Sequence, residues 1–427
     1  MKKITTFFLI IILFMPFSSC TSTKVPVSGN IDIPEDFLGL VHAGNPRRLD
    51  EYQLINEMGA VWLLQTFYWS SIEKEKDKFN FDWYDRFVDA AKLNNKKVVA
   101  VMAYETDWIK EKKENYISPE NIPHFLNYLE ATVKHFKGRV DVWQIWNEPN
   151  FKFWKGTKKE FYELSIQAAQ RIREADPDAY IIGGGYSRVP KSFIRGMQKA
   201  GCFKNTDAIS FHPYAVSPGG AMRLHDDFIK INNDFGFKGE IWITEMGYPT
   251  DGWYPHKVSL EKLPSYVIKT IVGAAIRNPR ALLWYEFVDS HNPGEEPNNH
   301  DSEMFFGLTY PNRTRKNGSY SYQLCSNYLP GSRYNPALPL RENIPSNIFS
   351  FCFTKEKSNV NTLILWNDKN NSFKIGINLP SSSFKLHNIS TGENKELQNG
   401  TVLDVSNIPV FITWQGESTV SITRVKQ

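Results

Sequence analysis

Two glutamates draw attention by where they stand. Glu148 lies in WNEPN (146–150), directly beyond the apolar run 140–146 (VDVWQIW), and Glu245 lies in TEMG, directly beyond the run 240–244 (EIWIT). A carboxylate placed at the end of an apolar strand is offered to a ligand rather than to the core. Two of them brought together suit the cleavage of a glycosidic bond. One protonates the leaving oxygen, and the other attacks the anomeric carbon or activates water. Carboxyl groups about 5–5.5 Å apart imply retention of configuration, and about 6.5–9.5 Å implies inversion. His212 and Tyr214 sit in SFHPYA (210–215), while Trp284, Tyr285, Glu286 and Asp289 follow in the run WYEFVDS.

The elements that must position these residues can be read from periodicity. Short apolar runs occur at 37–43, 60–69, 97–104, 140–146, 180–184, 208–212, 240–244 and 281–287. Amphipathic stretches at 49–58, 82–93, 123–135, 157–175 and 263–277 carry helical spacing. Near-continuous apolar strands mean burial on both faces, as in a parallel sheet covered by helices. Eight such units over about 250 residues predict a (β/α)8 TIM barrel. A doubly wound open sheet would want a Gly-rich phosphate turn after its first strand, and GNPRRLD after FLGLVHA lacks one. In an eight-strand ring the fourth and seventh strands face each other across the mouth, so the two glutamates converge.

Beyond residue 340 the texture changes to short runs separated by turn-rich pieces such as NDKNNS and STGENKELQNG. This predicts a small C-terminal antiparallel β-sandwich over 340–427, after a catalytic barrel over 31–335. Residues 1–20 have a basic start at Lys2 and Lys3, an apolar stretch at 7–17 and Ser18-Ser19-Cys20. That pattern resembles a bacterial lipoprotein signal, with Cys20 as the lipidated first residue and 21–30 as a polar tether. Thr21 in place of Asp favours the outer membrane or cell surface as the location. The expected partners are therefore a carbohydrate and, through Cys20, membrane lipid.

The remaining composition excludes several classes. The chain of 427 residues is 41% apolar and 22% charged, with a formal charge of +4. Removing 1–19 takes away two lysines and leaves +2, which is no nucleic-acid footprint. Cys202, Cys325 and Cys352 have no C-x-x-C spacing and read as packed thiols, although an exported chain leaves a pairing of Cys325 with Cys352 open. The nine histidines contain no H-E-x-x-H. No metal and no cofactor is expected, and a monomer is expected.

WNEP at 146–149, SFHPYA at 210–215 and ITEMGYPT at 243–250 resemble the clan A glycoside hydrolases, the retaining barrel superfamily, over about 37–330. The closing stretch WYEFVDS with Glu303 to Leu308 is similar to family 39-like and family 5-like members. The resemblance implies Glu148 as general acid/base and Glu245 as nucleophile. It implies Asn147 as donor to the sugar 2-hydroxyl, Tyr214 as the hydrogen-bond partner of Glu245, and His212 as a lining residue. Trp284 would be the stacking platform, with Tyr285 in its place if the strand register differs by one. Trp146 would desolvate Glu148, and Trp69, Trp108, Trp154, Trp253 and Tyr254 are further stacking candidates. Relatives carry an arginine near the end of strand two, where this chain has Gln65; Arg188 is a substitute for it. Glu286, Asp289 and Glu303 are expected to hold the eighth loop, and 105–121 to wall the cleft. Two other readings stay open: a non-catalytic carbohydrate-binding lipoprotein, and a transglycosylase.

Overall fold

The computed structural model describes residues 29–109, 114–252, 257–291 and 301–425. The lipoprotein-like segment, Trp253 and Tyr254, and residues 110–113 of the cleft-wall stretch lie outside them. Eight parallel strands close on themselves: β1 (Leu38–Val41), β2 (Trp62–Tyr68), β3 (Lys97–Ala103), β4 (Val142–Ile145), β5 (Ile181–Ser187), β6 (Ala208–His212), β7 (Glu240–Met246) and β8 (Leu282–Trp284). The closing pair is β1 with β8, in the register Leu38 to Leu282 and Leu40 to Trp284. The expected TIM barrel is the fold.

The helices outside the ring follow local rules. In Lys158–Ala175, Thr157 accepts from the Glu160 amide while Glu160 reaches back to the Thr157 amide, a complete capping box. Helix Leu263–Ala275 is apolar almost all round because it is covered on one side by the barrel and on the other by helix Asn317–Tyr328. That last helix was not read from the sequence. It packs on Leu263–Ala275 and is bonded to the first βα unit, since the Tyr322 hydroxyl donates to the Gly39 carbonyl and Ser326 to that of Met58. No helix among the described residues is long and apolar enough to cross a membrane.

The C-terminal part forms two sheets. One has seven strands and takes in Ile31–Asp32 and Arg333–Tyr334 from either side of the barrel. The other has four, with one parallel pair, Leu340–Glu342 beside Ser421–Arg424. Alternation along the strands divides their residues between two cores. Phe351, Phe353, Ile364, Trp366 and Phe411 join the barrel core, whereas Cys352, Leu363, Leu365 and Ile412 face the second sheet. Both faces of the seven-stranded sheet are thus buried, which is why LILW at 363–366 reads as continuous rather than alternating. Cys202, Cys325 and Cys352 are buried free thiols.

The eighth loop is anchored by one buried ion pair. Lys316 Nζ lies 2.7 Å from Asp289, with side chains 0% and 2% exposed. Asp289 also accepts from the Gly307 amide at 2.7 Å, and Lys316 donates to Thr250 at 2.8 Å. Burial pushes the Asp289 carboxyl up to about 6 even against the Lys316 charge. Removing one partner of such a pair strands the other charge. Lys316→Met should therefore cost about 3–5 kcal/mol, read as a lowered denaturation midpoint, and Lys316→Met/Asp289→Leu should recover more than half of the loss.

Candidate active site

The C-terminal ends of β4, β6 and β7 bring Glu148, His212 and Glu245 together. One ligating atom from each lies within 4.8 Å of the others. His212 Nδ1 is 2.9 Å from Glu148 Oε1 and 3.5 Å from Glu245 Oε2, and its Nε2 is 3.1 Å from Thr244 Oγ1. The imidazole is fully buried, so it bridges the two carboxylates as a fixed part of the floor. Tyr214 donates its hydroxyl to Glu245 Oε2 at 3.3 Å.

Local backbone features aim these groups. Trp146 and Glu148 adopt positive φ values of 62° and 42°. Non-glycine residues hold that conformation only where surroundings enforce it, at about 1–3 kcal/mol each. Here the Glu148 amide donates to the Gly185 carbonyl at 2.8 Å. The Asn150 side chain also exchanges two hydrogen bonds of 3.0 Å with the backbone of Ser187. On the opposite side, the β7–β8 register runs Ile243 to Leu282 and then Met246 to Trp284, leaving an extra residue on β7 around Thr244 and Glu245. Such a bulge re-aims a side chain at a strand end. Two glycines make the close approaches possible. A Cβ on Gly185 would fall 2.9 Å from His212 Nε2, and one on Gly247 would fall 1.6 Å from the Tyr285 carbonyl oxygen.

The electrostatics follow from burial and shared charge. Burial raises the Glu245 carboxyl above its ordinary value; the charges of His212 and His42 oppose this, and that of Glu148 adds to it. Burial alone would lower His212, but the Glu245 charge and the bond to Glu148 outweigh it and leave it raised. The charges of Glu245 and the His212 imidazole thus favour one another at this distance. The three side chains have the donor types for a metal ion, yet here they satisfy one another, and two-carboxylate chemistry requires none.

Most of the sequence-predicted residues gather here, but the tryptophans do not. Asn147 has Oδ1 buried without a partner and its side chain bonded to the Tyr104 hydroxyl. That leaves an acceptor ready for a ligand hydroxyl. Trp284 is fully buried against Tyr248, whose hydroxyl is bonded to Thr270 on the outer helix. Because β8 ends at Trp284, the next residue, Tyr285, is the one that reaches the mouth. Its ring lies 5.5 Å from His42, 6.4 Å from Tyr214 and 5.3 Å from Phe306. Tyr285, rather than Trp284, is therefore the aromatic beside His42 and Tyr214. Trp69 and Trp146 are also fully buried. Trp69 donates to Glu73 at 2.6 Å and Trp146 to the Phe153 carbonyl at 2.8 Å, so both support the site from behind. Trp154 is 6% exposed, and Trp108, bonded to the Glu73 carbonyl, is half-buried.

The sequence reading missed His42. It ends β1, takes a φ of 52°, and pairs with Glu286 at 2.8 Å. Its imidazole is pulled down by burial and pulled up further by Glu286, with a net rise. The missing arginine is thereby explained. Gln65 donates to the Ala43 carbonyl at 3.3 Å and Arg188 is exposed, so the cationic partners that favour the Glu245 carboxylate are His212 and His42 in their protonated forms. A polar residue closing FLGLVH was the available signal. Glu286 serves His42, while Asp289 alone of the three acids anchors the eighth loop; Glu303 lies exposed near the mouth.

Comparison with known proteins agrees with this geometry. Residues 47–276, more than half of the chain, match the family described as Cellulase (glycosyl hydrolase family 5). Endo-1,4-beta-xylanase B of Thermotoga neapolitana is 26% identical over 253 residues, covering 52% of this chain and 68% of that protein. A beta-xylosidase of Caldicellulosiruptor saccharolyticus is 30% identical over 125 residues, 26% of this chain and 25% of its own length. The chain therefore spans about a quarter of that second relative. Among solved structures, a family 39 glycoside hydrolase from Bacteroides cellulosilyticus WH2 has a TM-score of 0.74 at 20% identity, covering 89% of this chain and 81% of that one. A monomeric beta-xylosidase from Caulobacter crescentus CB15 has a TM-score of 0.66 at 14% identity, covering 90% and 97%. At those identities the likeness speaks to the fold, barrel and sandwich together. With paired carboxylates at the mouth of a closed barrel and a family match across most of that barrel, the chain belongs to the cellulase family, glycosyl hydrolase family 5, and is an O-glycosyl hydrolase of the retaining class.

Proposed function

We propose that Glu148 is the acid/base and Glu245 the nucleophile in cleavage of a β-linked, xylo-configured poly- or oligosaccharide. The carrying observation is the approach of the two carboxylates to within 4.8 Å, bridged by His212. That spacing suits direct attack and leaves no room for an intervening water. The sugar assignment draws on the printed names of the relatives, which are xylanases and a xylosidase.

In the first step Glu148 gives its proton to the glycosidic oxygen as a Glu245 oxygen bonds to the anomeric carbon. The aglycone sugar leaves as an alcohol, and a glycosyl ester remains on Glu245. In the second step Glu148, now a carboxylate, takes a proton from water. The water oxygen displaces Glu245, and two inversions give net retention. Tyr214 and the two histidines hold negative charge on Glu245 against the cost of its burial. Asn147 presents its free Oδ1 as acceptor to the 2-hydroxyl, in place of the donor that the resemblance implied, and Tyr285 supplies the apolar face. We further infer that Cys20 carries acyl chains and holds the enzyme on an outer membrane or cell surface; its support is the residue pattern at 1–20.

The role assignment makes opposite stereochemical demands on the two variants. Glu148→Ala should lose about 10²–10⁴-fold in kcat on substrates with poor leaving groups. On an activated aryl glycoside, whose phenolate leaves without protonation so that the glycosyl ester accumulates, azide should restore turnover and yield a β-glycosyl azide. Glu245→Ala with azide should yield the α-anomer, both products being read by proton NMR. Unchanged hydrolysis by Glu148→Ala would remove the assignment.

The His212 contact predicts a pH effect. A protonated imidazole lowers the Glu245 pKa, so its removal lets burial raise that pKa further. The acid limb of kcat/KM for His212→Asn should move to higher pH. A limb that stays in place would mean that His212 only fills space. Tyr285→Ala should raise KM for a neutral aryl β-xyloside about tenfold through loss of its stacking face, with little change in thermal stability. Trp284→Ala should instead destabilise the fold by about 3–5 kcal/mol, measured by denaturant unfolding.

A further inference from the structure

A second concavity opens on the same face of the barrel, between the loops that follow β1 and β2. Its volume is about 760 Å³, and it is lined by Arg47 from the first loop, Tyr68 at the end of β2, Lys74 from the second loop, and Trp83 and Arg86 from helix Asp82–Leu93. Two features distinguish it from a chance groove. One is charge: Lys78 in its wall is paired with Glu75 at 2.6 Å, which leaves Arg47, Lys74 and Arg86 facing Asp82 alone. No carboxylate among the described residues pairs with those three cations. The other is continuity with the cleft. Tyr68 is 42% exposed, and its ring lies 6.2 Å from that of Tyr104, the hydroxyl partner of Asn147. One aromatic therefore borders both spaces.

We propose that this cavity is a carbohydrate subsite for a unit bearing an anionic substituent, a carboxylate or a sulfate ester, on the chain whose backbone lies in the cleft. The proposal rests on the glycosidase reading for the direction of that chain. Tyr68 and the half-buried Trp83 offer flat apolar faces to sugar rings. Arg47 and Arg86 offer planar forks that match a carboxylate or sulfate bidentately, and Lys74 adds a point charge. These cations stand at the surface, so the preference should weaken as salt is added.

Affinity electrophoresis of the full chain tests it, in gels holding glucuronoxylan, the same xylan with its carboxyl groups reduced to alcohols, or a sulfated xylan. Retardation should be several-fold stronger with an acidic polymer than with the reduced one, and Arg47→Gln/Arg86→Gln should erase the difference. Whichever acidic polymer is retained identifies the substituent. Equal retardation by the reduced polymer, an undiminished difference in the double variant, or no retardation by either acidic polymer would each overturn the subsite. Hydrolysis of a neutral aryl β-xyloside is measured alongside. The double variant should match the unaltered protein there. Failure of the unaltered protein to hydrolyse it would sink the xylosidic reading while the gels still decide the subsite.

Discussion

The confinement of two carboxyl groups and one imidazole in a largely buried site governs much of this structure. Like charges at such a distance resist joint ionisation, and burial penalises each charge further. The protein answers with a bridging imidazole, a tyrosine hydroxyl and a second histidine. All are held by strand ends that cannot drift independently. A catalytic pair needs one group protonated and one ionised in the same few ångströms, and the two carboxyl groups have different neighbours. Glu148 meets the imidazole at hydrogen-bonding distance, while Glu245 has both the histidine charges and the Tyr214 hydroxyl.

Positioning carries a conformational cost that is spread over neighbouring elements. Positive φ at Trp146 and Glu148, the extra residue in β7 and the tight approach at Gly247 are each unfavourable or restrictive alone. They persist because the Asn150–Ser187 clamp, the Gln144–Ser210 bond at 3.0 Å and the packed barrel interior leave no alternative. The eighth loop follows the same logic. Its backbone is held by the buried pair of Asp289 and Lys316, through the Asp289 bond to the Gly307 amide.

The sandwich is more than an appendage in physical terms. Its seven-stranded sheet puts Phe351, Phe353 and Trp366 into the barrel core, and Lys269 of the barrel lies over the Trp366 ring at 5.7 Å. The short strand Ile31–Asp32 precedes the barrel yet pairs beyond it with Arg333–Tyr334. The chain thus enters and leaves the barrel through one shared sheet, and the two parts share apolar burial.

Much of this was legible in one dimension. A parallel strand buried on both faces writes itself as an apolar run, and the first polar residue after it marks the mouth of the barrel. Glu148, Glu245, His212 and Tyr214 could be found that way, since strand-end position is a local property. The aromatic contacts could not. Whether Trp284 or Tyr285 meets the ligand depends on where β8 stops, and one residue of difference reverses the side-chain direction. His42 acts on Glu245 only because barrel closure sets β1 beside β8. The amino-acid order determined the ring of strands and the identity of the acids at its rim, through periodicity and spacing. Tertiary structure decided which aromatics face outward from the core and which cations stand near the acids, because ring closure and the β7 bulge join residues that no local pattern connects.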